Sequence, residues 1–95
     1  MKFFTKKILK EENYKKGLEL LKELRDKSRL EEGCIYYDLY QDADERYTII
    51  INEEWESEEA QINHTKTEHF KRIVPAVADL CEKPFKLVRF VDLKD

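Results

Sequence analysis

Tyr47-Thr48-Ile49-Ile50-Ile51-Asn52-Glu53-Glu54-Trp55-Glu56-Ser57-Glu58-Glu59-Ala60 decides the architecture of this chain. Tyr47 to Trp55 reads as a strand, and its run Thr48-Ile49-Ile50-Ile51 is apolar on both sides of the pleat, so both faces call for cover. Helices supply one covering layer. In so small a chain the natural source of the other is a second copy of the chain itself. Ser57 then offers a helix N-cap, and Glu58 and Glu59 place negative charge at the positive end of the helix that follows.

Upstream, Lys2 to Lys10 mixes aromatic, branched and lysine residues in rough alternation and reads as a first strand, stopped by Glu11-Glu12-Asn13. From Tyr14 the apolar positions Leu18, Leu20, Leu21 and Leu24 fall three and four apart, the pattern of an amphipathic helix. That helix is expected to fade near Ser28 to Leu30, ahead of a turn at Gly33. Cys34 to Tyr40 is aromatic and branched and gives a second strand, closed by Gln41-Asp42-Ala43-Asp44.

Downstream, the Ser57-capped helix is expected to end near His64. Phe70, Ile73, Val74, Val77, Leu80 and Cys81 mark a further helical segment, in which Pro75 should introduce a kink or a fresh turn. Lys83-Pro84 stops it, and the alternation across Phe85 to Leu93 predicts a closing strand. The order βαββααβ predicts an α+β fold of the ferredoxin-like kind, an antiparallel sheet with helices on one face, in a single domain over residues 1–95.

The net charge of -3 is spread over interspersed lysines, arginines and carboxylates, so no basic face offers itself to a nucleic acid. No apolar run approaches the roughly 20 residues that span a bilayer. No charged and apolar leader of the export type is evident, which points to the cytoplasm, with Cys34 and Cys81 as free thiols.

Both histidines and the one tryptophan fall between Glu53 and Phe70. An imidazole titrates near 6.5, which suits His64 to proton transfer at neutral pH; the bland alternative is a helix-end histidine satisfying a carbonyl. His69 lies five residues on, beyond the spacing that stacks side chains on one helical face, and suits a structural or dimer-contact role. Trp55 serves equally as a pocket wall or as core. Glu53 shares its strand face with Trp55, and a carboxylate there needs a partner, for which Arg89 or a lysine of a neighbouring subunit is expected. Tyr37 and Asp38 point to opposite faces, so one of them looks toward the helices. Two histidines without HExxH or CxxC predict no metal site.

Ser28-Arg29 with Glu32 to Tyr40, Glu53 to Ala60 (EEWESEEA) and His64 to Phe70 (HTKTEHF) together resemble the antibiotic biosynthesis monooxygenase family of the dimeric α+β barrel superfamily. The resemblance implies a homodimer whose two sheets pack together, with a pocket in each subunit between sheet and helices. It implies oxidation of a quinol or phenol-like substrate by dioxygen without metal, flavin or other cofactor. His64 would act as base, Trp55 and Tyr37 as pocket wall, and Asn63 or His69 as hydrogen-bond donors. A second branch that the chain resembles isomerises a small phosphorylated hydroxyketone, and there Asp38 or Glu53 would join His64. A third expectation, from a different class, is a dimer that binds a small molecule without turning it over; a missing cavity beside His64 would favour it. Haem-degrading relatives imply an asparagine on strand one and a histidine on the last helix. Lys6 or Lys7 and Ile73 or Val74 stand at those places, so haem is disfavoured.

Overall fold

The computed structural model describes residues 1–95. β1 (Lys2–Ile8) leads through a single 3-10 turn (Glu11–Asn13) into α1 (Tyr14–Ser28). β2 (Cys34–Gln41) and β3 (Thr48–Trp55) form a hairpin, followed by α2 (Glu58–Thr65), α3 (Glu68–Asp79) and β4 (Val88–Phe90). The sheet is antiparallel in the order β2-β3-β1-β4, the ferredoxin-like arrangement predicted above.

Alternation on the strands separates the two sheet faces. Phe3, Thr5, Tyr37, Ile49, Ile51, Glu53 and Trp55 are all buried beneath the helices. α1 meets them with Gly17, Leu21, Leu24 and Ser28, a stripe at helical spacing, and α3 adds Ile73 and Val77. The opposite face of the sheet has no layer over it. Phe4, Tyr40, Ile50, Val88 and Phe90 line an open concavity of about 440 Å³ there. Burial of β3 on both faces is thus not reached within one chain: Ile49 and Ile51 are buried, while Ile50 is only partly so.

Two expectations are corrected. Pro75 begins no fresh turn, because α3 runs as one helix from Glu68 to Asp79 with Pro75 inside it. Position 75 gives up one amide donor and the flanking turns hold. The closing strand is also much shorter than Phe85 to Leu93. Only Val88 to Phe90 pair, with Phe4 to Lys2, because the preceding residues cross the helix-side face, where the Thr5 hydroxyl reaches the Phe85 and Lys86 carbonyls at 3.5 and 3.3 Å.

Gly33 carries the one backbone conformation that favours glycine, with φ of 87°. A Cβ at this position would lie 2.5 Å from the Cβ of Ala60 on α2, so the loop before β2 and the start of α2 touch at the closest possible range. No helix is long and apolar enough to cross a membrane.

Candidate active site

Three chain segments converge behind β3. Ser57 caps α2 as expected, its hydroxyl accepting from the Ala60 amide at 3.1 Å, and this sets the helix phase that turns His64 inward. Thr67 caps α3 by accepting from the Phe70 amide at 3.2 Å, and its hydroxyl donates to the His64 carbonyl at 2.8 Å. This link between the two helices is short and doubly fixed. It brings the last turn of α2 and the first turn of α3 into contact, so His64 and His69 face a common point despite their separation of five residues.

That point is Glu31, in the loop between α1 and β2. Its Oε2 lies 2.8 Å from His64 Nδ1 and 2.7 Å from His69 Nε2. An ionised carboxylate only accepts, so each imidazole donates its N–H to it. On this hydrogen-bond pattern His64 is the Nδ1–H tautomer, an assignment drawn from the network. Its other ring nitrogen makes no protein hydrogen bond, and the ring lines a cavity.

The His64 ring is buried, with 2% exposure, and is packed against three aromatic rings. Trp55 lies across it at 4.5 Å between ring centroids, Phe70 meets it edge-on at 5.0 Å, and Tyr37 stands at 5.8 Å. Burial holds the imidazole pKa below its ordinary value, and the hydrogen bond to Glu31 offsets part of that shift. Glu53 is buried too. The Trp55 indole donates to its Oε1 at 2.9 Å, and burial raises its carboxyl pKa in spite of that bond. Tyr37 is raised well above its ordinary value, first by burial and then by the Glu53 charge, so its hydroxyl remains a phenol.

The cavity beside His64 measures about 100 Å³. Tyr37, Glu53, Phe70, Phe85, Leu87 and Lys7 are among its walls, so it mixes aromatic surface with one carboxylate and one ammonium.

The sequence-predicted residues divide accordingly. Tyr37 is the inward member of its pair, whereas Asp38 faces the other side of the sheet and accepts from Arg29 Nη2 at 2.8 Å. Asp38 is therefore excluded from the cavity, and with it one of the acid partners considered for isomerisation. Asn63 is exposed and borders a separate acidic depression with Glu32, Glu56 and Glu59, because it lies one residue, about 100° of helix, away from the buried His64 face. His69 points at Glu31 and does not line the cavity. Trp55, fully buried, stands behind His64 and is not a wall. Glu53 pairs with the indole and not with Arg89. Glu31 was missed altogether. It is 33 residues from His64 in sequence, and no local pattern marks it.

Comparison with known proteins assigns the family and the fold. Residues 5–76 match the family model described as antibiotic biosynthesis monooxygenase. A Bacillus subtilis (strain 168) protein, "Putative monooxygenase YcnE", is 37% identical over 62 residues, a stretch that spans 65% of each chain. A crystal structure of an antibiotic biosynthesis monooxygenase superimposes with a TM-score of 0.92 at 30% identity, covering 98% of both chains. A conserved protein from Methanosarcina mazei Go1 follows at 0.87 and 29%, over 92% of this chain and 86% of that one. With an inward histidine at the helix junction, a cavity between sheet and helices and a family match over most of its length, this chain belongs to the antibiotic biosynthesis monooxygenase family.

Proposed function

We propose that this protein is a homodimeric monooxygenase that oxidises a small, electron-rich phenol or quinol with dioxygen, without metal or flavin. The observation that carries the reading is the fixed His64 ring: one nitrogen is held by Glu31 and the other is free in a residue that lines the cavity. This is the geometry of a general base with an orienting carboxylate.

In the proposed cycle the free nitrogen takes the phenolic proton, and the phenolate gives one electron to dioxygen. Superoxide and the phenoxyl radical then join at a ring carbon bearing hydrogen. The resulting peroxide anion takes back the proton from the imidazolium. Loss of the ring hydrogen as a proton and cleavage of the O–O bond yield a quinone and one water. Four electrons leave the substrate and two reduce each oxygen atom, one ending in the new carbonyl and the other in water, so no outside reductant enters. Glu31 stabilises the transient imidazolium, and the aromatic enclosure excludes water from the radical pair.

The cavity supports a small substrate. Drug-sized ligands occupy about 300–1,000 Å³, whereas an apolar space of about 150 Å³ holds a single benzene ring. At about 100 Å³ the site is tighter than that, so even a single-ring substrate requires Phe85 and Leu87 to move aside. Support for the dimer comes from the uncovered apolar face around Ile50 and Phe90, the surface that a second sheet would cover. The free thiols Cys34 and Cys81 suit a reducing, cytoplasmic setting.

The test is oxygen uptake on a panel of single-ring phenols and hydroquinones in chelator-treated buffer. Quinone should form one-to-one with oxygen consumed, and His64→Ala should lower the rate by about 10²–10⁴-fold. Uptake unaffected by His64→Ala rejects the assignment, and product formed under strict anaerobiosis would point to isomerisation instead.

A further inference from the structure

We propose that Glu31, His64 and His69 also form a binding site for a divalent transition-metal ion of the zinc, cobalt, nickel or copper kind, and that its occupation silences His64 as a base. The second clause rests on the function proposed above; the first stands without it.

Two imidazoles and one carboxylate are the donor set of these ions, and not of magnesium or calcium, which favour oxygen ligands alone. The three ligand atoms all lie within 4.8 Å of one another. Zinc holds such atoms at about 2.0–2.2 Å, which places tetrahedral neighbours about 3.4 Å apart. The present N···O separations of 2.8 and 2.7 Å therefore open by a fraction of an ångström while the carboxylate turns. Glu31 can make that turn: both imidazoles bond the same oxygen, Oε2, and Oε1 has no protein partner.

The two histidines are held for the purpose. Trp55 and Phe70 pack the His64 ring, and the Thr67 hydroxyl ties the helix carrying His69 to the His64 carbonyl. An ion has a way in as well, because the Glu31 and His69 side chains are 13% and 14% exposed while that of His64 is 2% exposed. No lysine or arginine forms an ion pair with Glu31 that would compete with the cation.

Coordination through His64 Nδ1 needs the lone pair there, so the ring proton must sit on Nε2. That nitrogen is the one through which the proposed base takes its proton. A metal on the Glu31 side thus converts the acceptor in the cavity into a donor. The chain would be an oxygenase that functions without metal and is inhibited by it.

Cobalt(II) titrated into the tag-free chain tests the site directly, through its visible absorption and binding stoichiometry. We expect one ion per chain, displaced by zinc, with affinity lowered at least about tenfold in both His69→Ala and the near-isosteric Glu31→Gln. Zinc at saturation should abolish oxygen uptake by the wild-type chain. Absence of saturable binding up to millimolar cobalt overturns the proposal, as does an affinity unchanged in both variants, which would place the ion on other groups such as Cys34. Should zinc saturate the site while oxygen uptake continues at full rate, the metal site stands and His64 is not the base.

Discussion

Glu53 and Trp55 are joined side chain to side chain, the indole N–H donating to the carboxylate at 2.9 Å across the two-residue repeat of β3. The bond satisfies one buried oxygen without neutralising the charge, so the Glu53 pKa stays raised by burial. A group whose folded pKa exceeds its unfolded value contributes stability that is complete below the unfolded value and lost as pH rises through the folded one. Glu53→Gln should therefore flatten part of the pH dependence and gain stability relative to wild type at neutral pH. Urea unfolding of both chains at acid and neutral pH measures this; a difference that does not vary with pH contradicts it.

His64 has the opposite sign. Its folded pKa lies below the ordinary imidazole value because of burial, so the unfolded chain binds the proton more readily and stability falls as pH drops through that window. The acidic limb of the oxygen-uptake profile should lie below pH of about 6.5. Glu31→Gln removes the contribution that favours the imidazolium, so the limb should shift further toward acid while the plateau rate falls. A limb that stays in place in Glu31→Gln would show that Glu31 does not act on the titrating group.

Placing a charge at Ile50 tests the uncovered sheet face. The residue points away from the helices, into the concavity shared with Phe4, Tyr40, Val88 and Phe90. On the dimer proposed above, Ile50→Asp should leave the helical circular dichroism intact and reduce the sedimentation mass from two chains to one. A variant that still sediments as a dimer places the interface elsewhere.

The packing of α3 on α1 runs through the buried core. Ile73 on α3 is fully buried and belongs to the same cluster as Leu21 and Leu24 of α1. Ile73→Ala should cost about 2–5 kcal/mol, read as a lower urea midpoint at unchanged slope.

Both thiols are poor nucleophiles at neutral pH. Burial raises Cys34 to about 11, and Cys81, whose thiol donates to the Val77 carbonyl at 3.2 Å, is raised for the same reason. Thiol-reactive dyes should label the folded chain slowly below pH of about 9 and rapidly after denaturation. Fast labelling of the native chain contradicts this.

The elements that carry their own periodicity were legible from the sequence. Leu18 to Leu24 announced α1, Ser57 announced the start of α2, and the Thr48 to Ile51 run announced a strand with two apolar sides. What escaped depends on relations between distant segments. Whether Tyr37 or Asp38 turns inward is a matter of register, decided by the pairing of β2 with β3 and by the irregularity between Cys34 and Tyr36. The alternation at Phe85 to Leu93 was real, yet pairing requires a free strand edge, and the chain uses Phe85 and Leu87 to wall the cavity before it reaches β1. Glu31 is the clearest case. A lone carboxylate in a charged loop resembles every other until the fold brings two imidazoles to it.

The contact between Gly33 and Ala60 works as a calliper. Glu31 lies two residues before Gly33, and His64 lies one helical turn after Ala60, so the clearance at this contact is also the jaw opening between carboxylate and imidazole. That opening is set by the absence of a single methyl group. A Cβ at position 33 would meet the Ala60 Cβ at 2.5 Å, so one of the two segments must shift, and the 2.8 Å hydrogen bond between Glu31 and His64 joins the same two segments. Architecture and the grip of Glu31 on His64 thus meet at one residue.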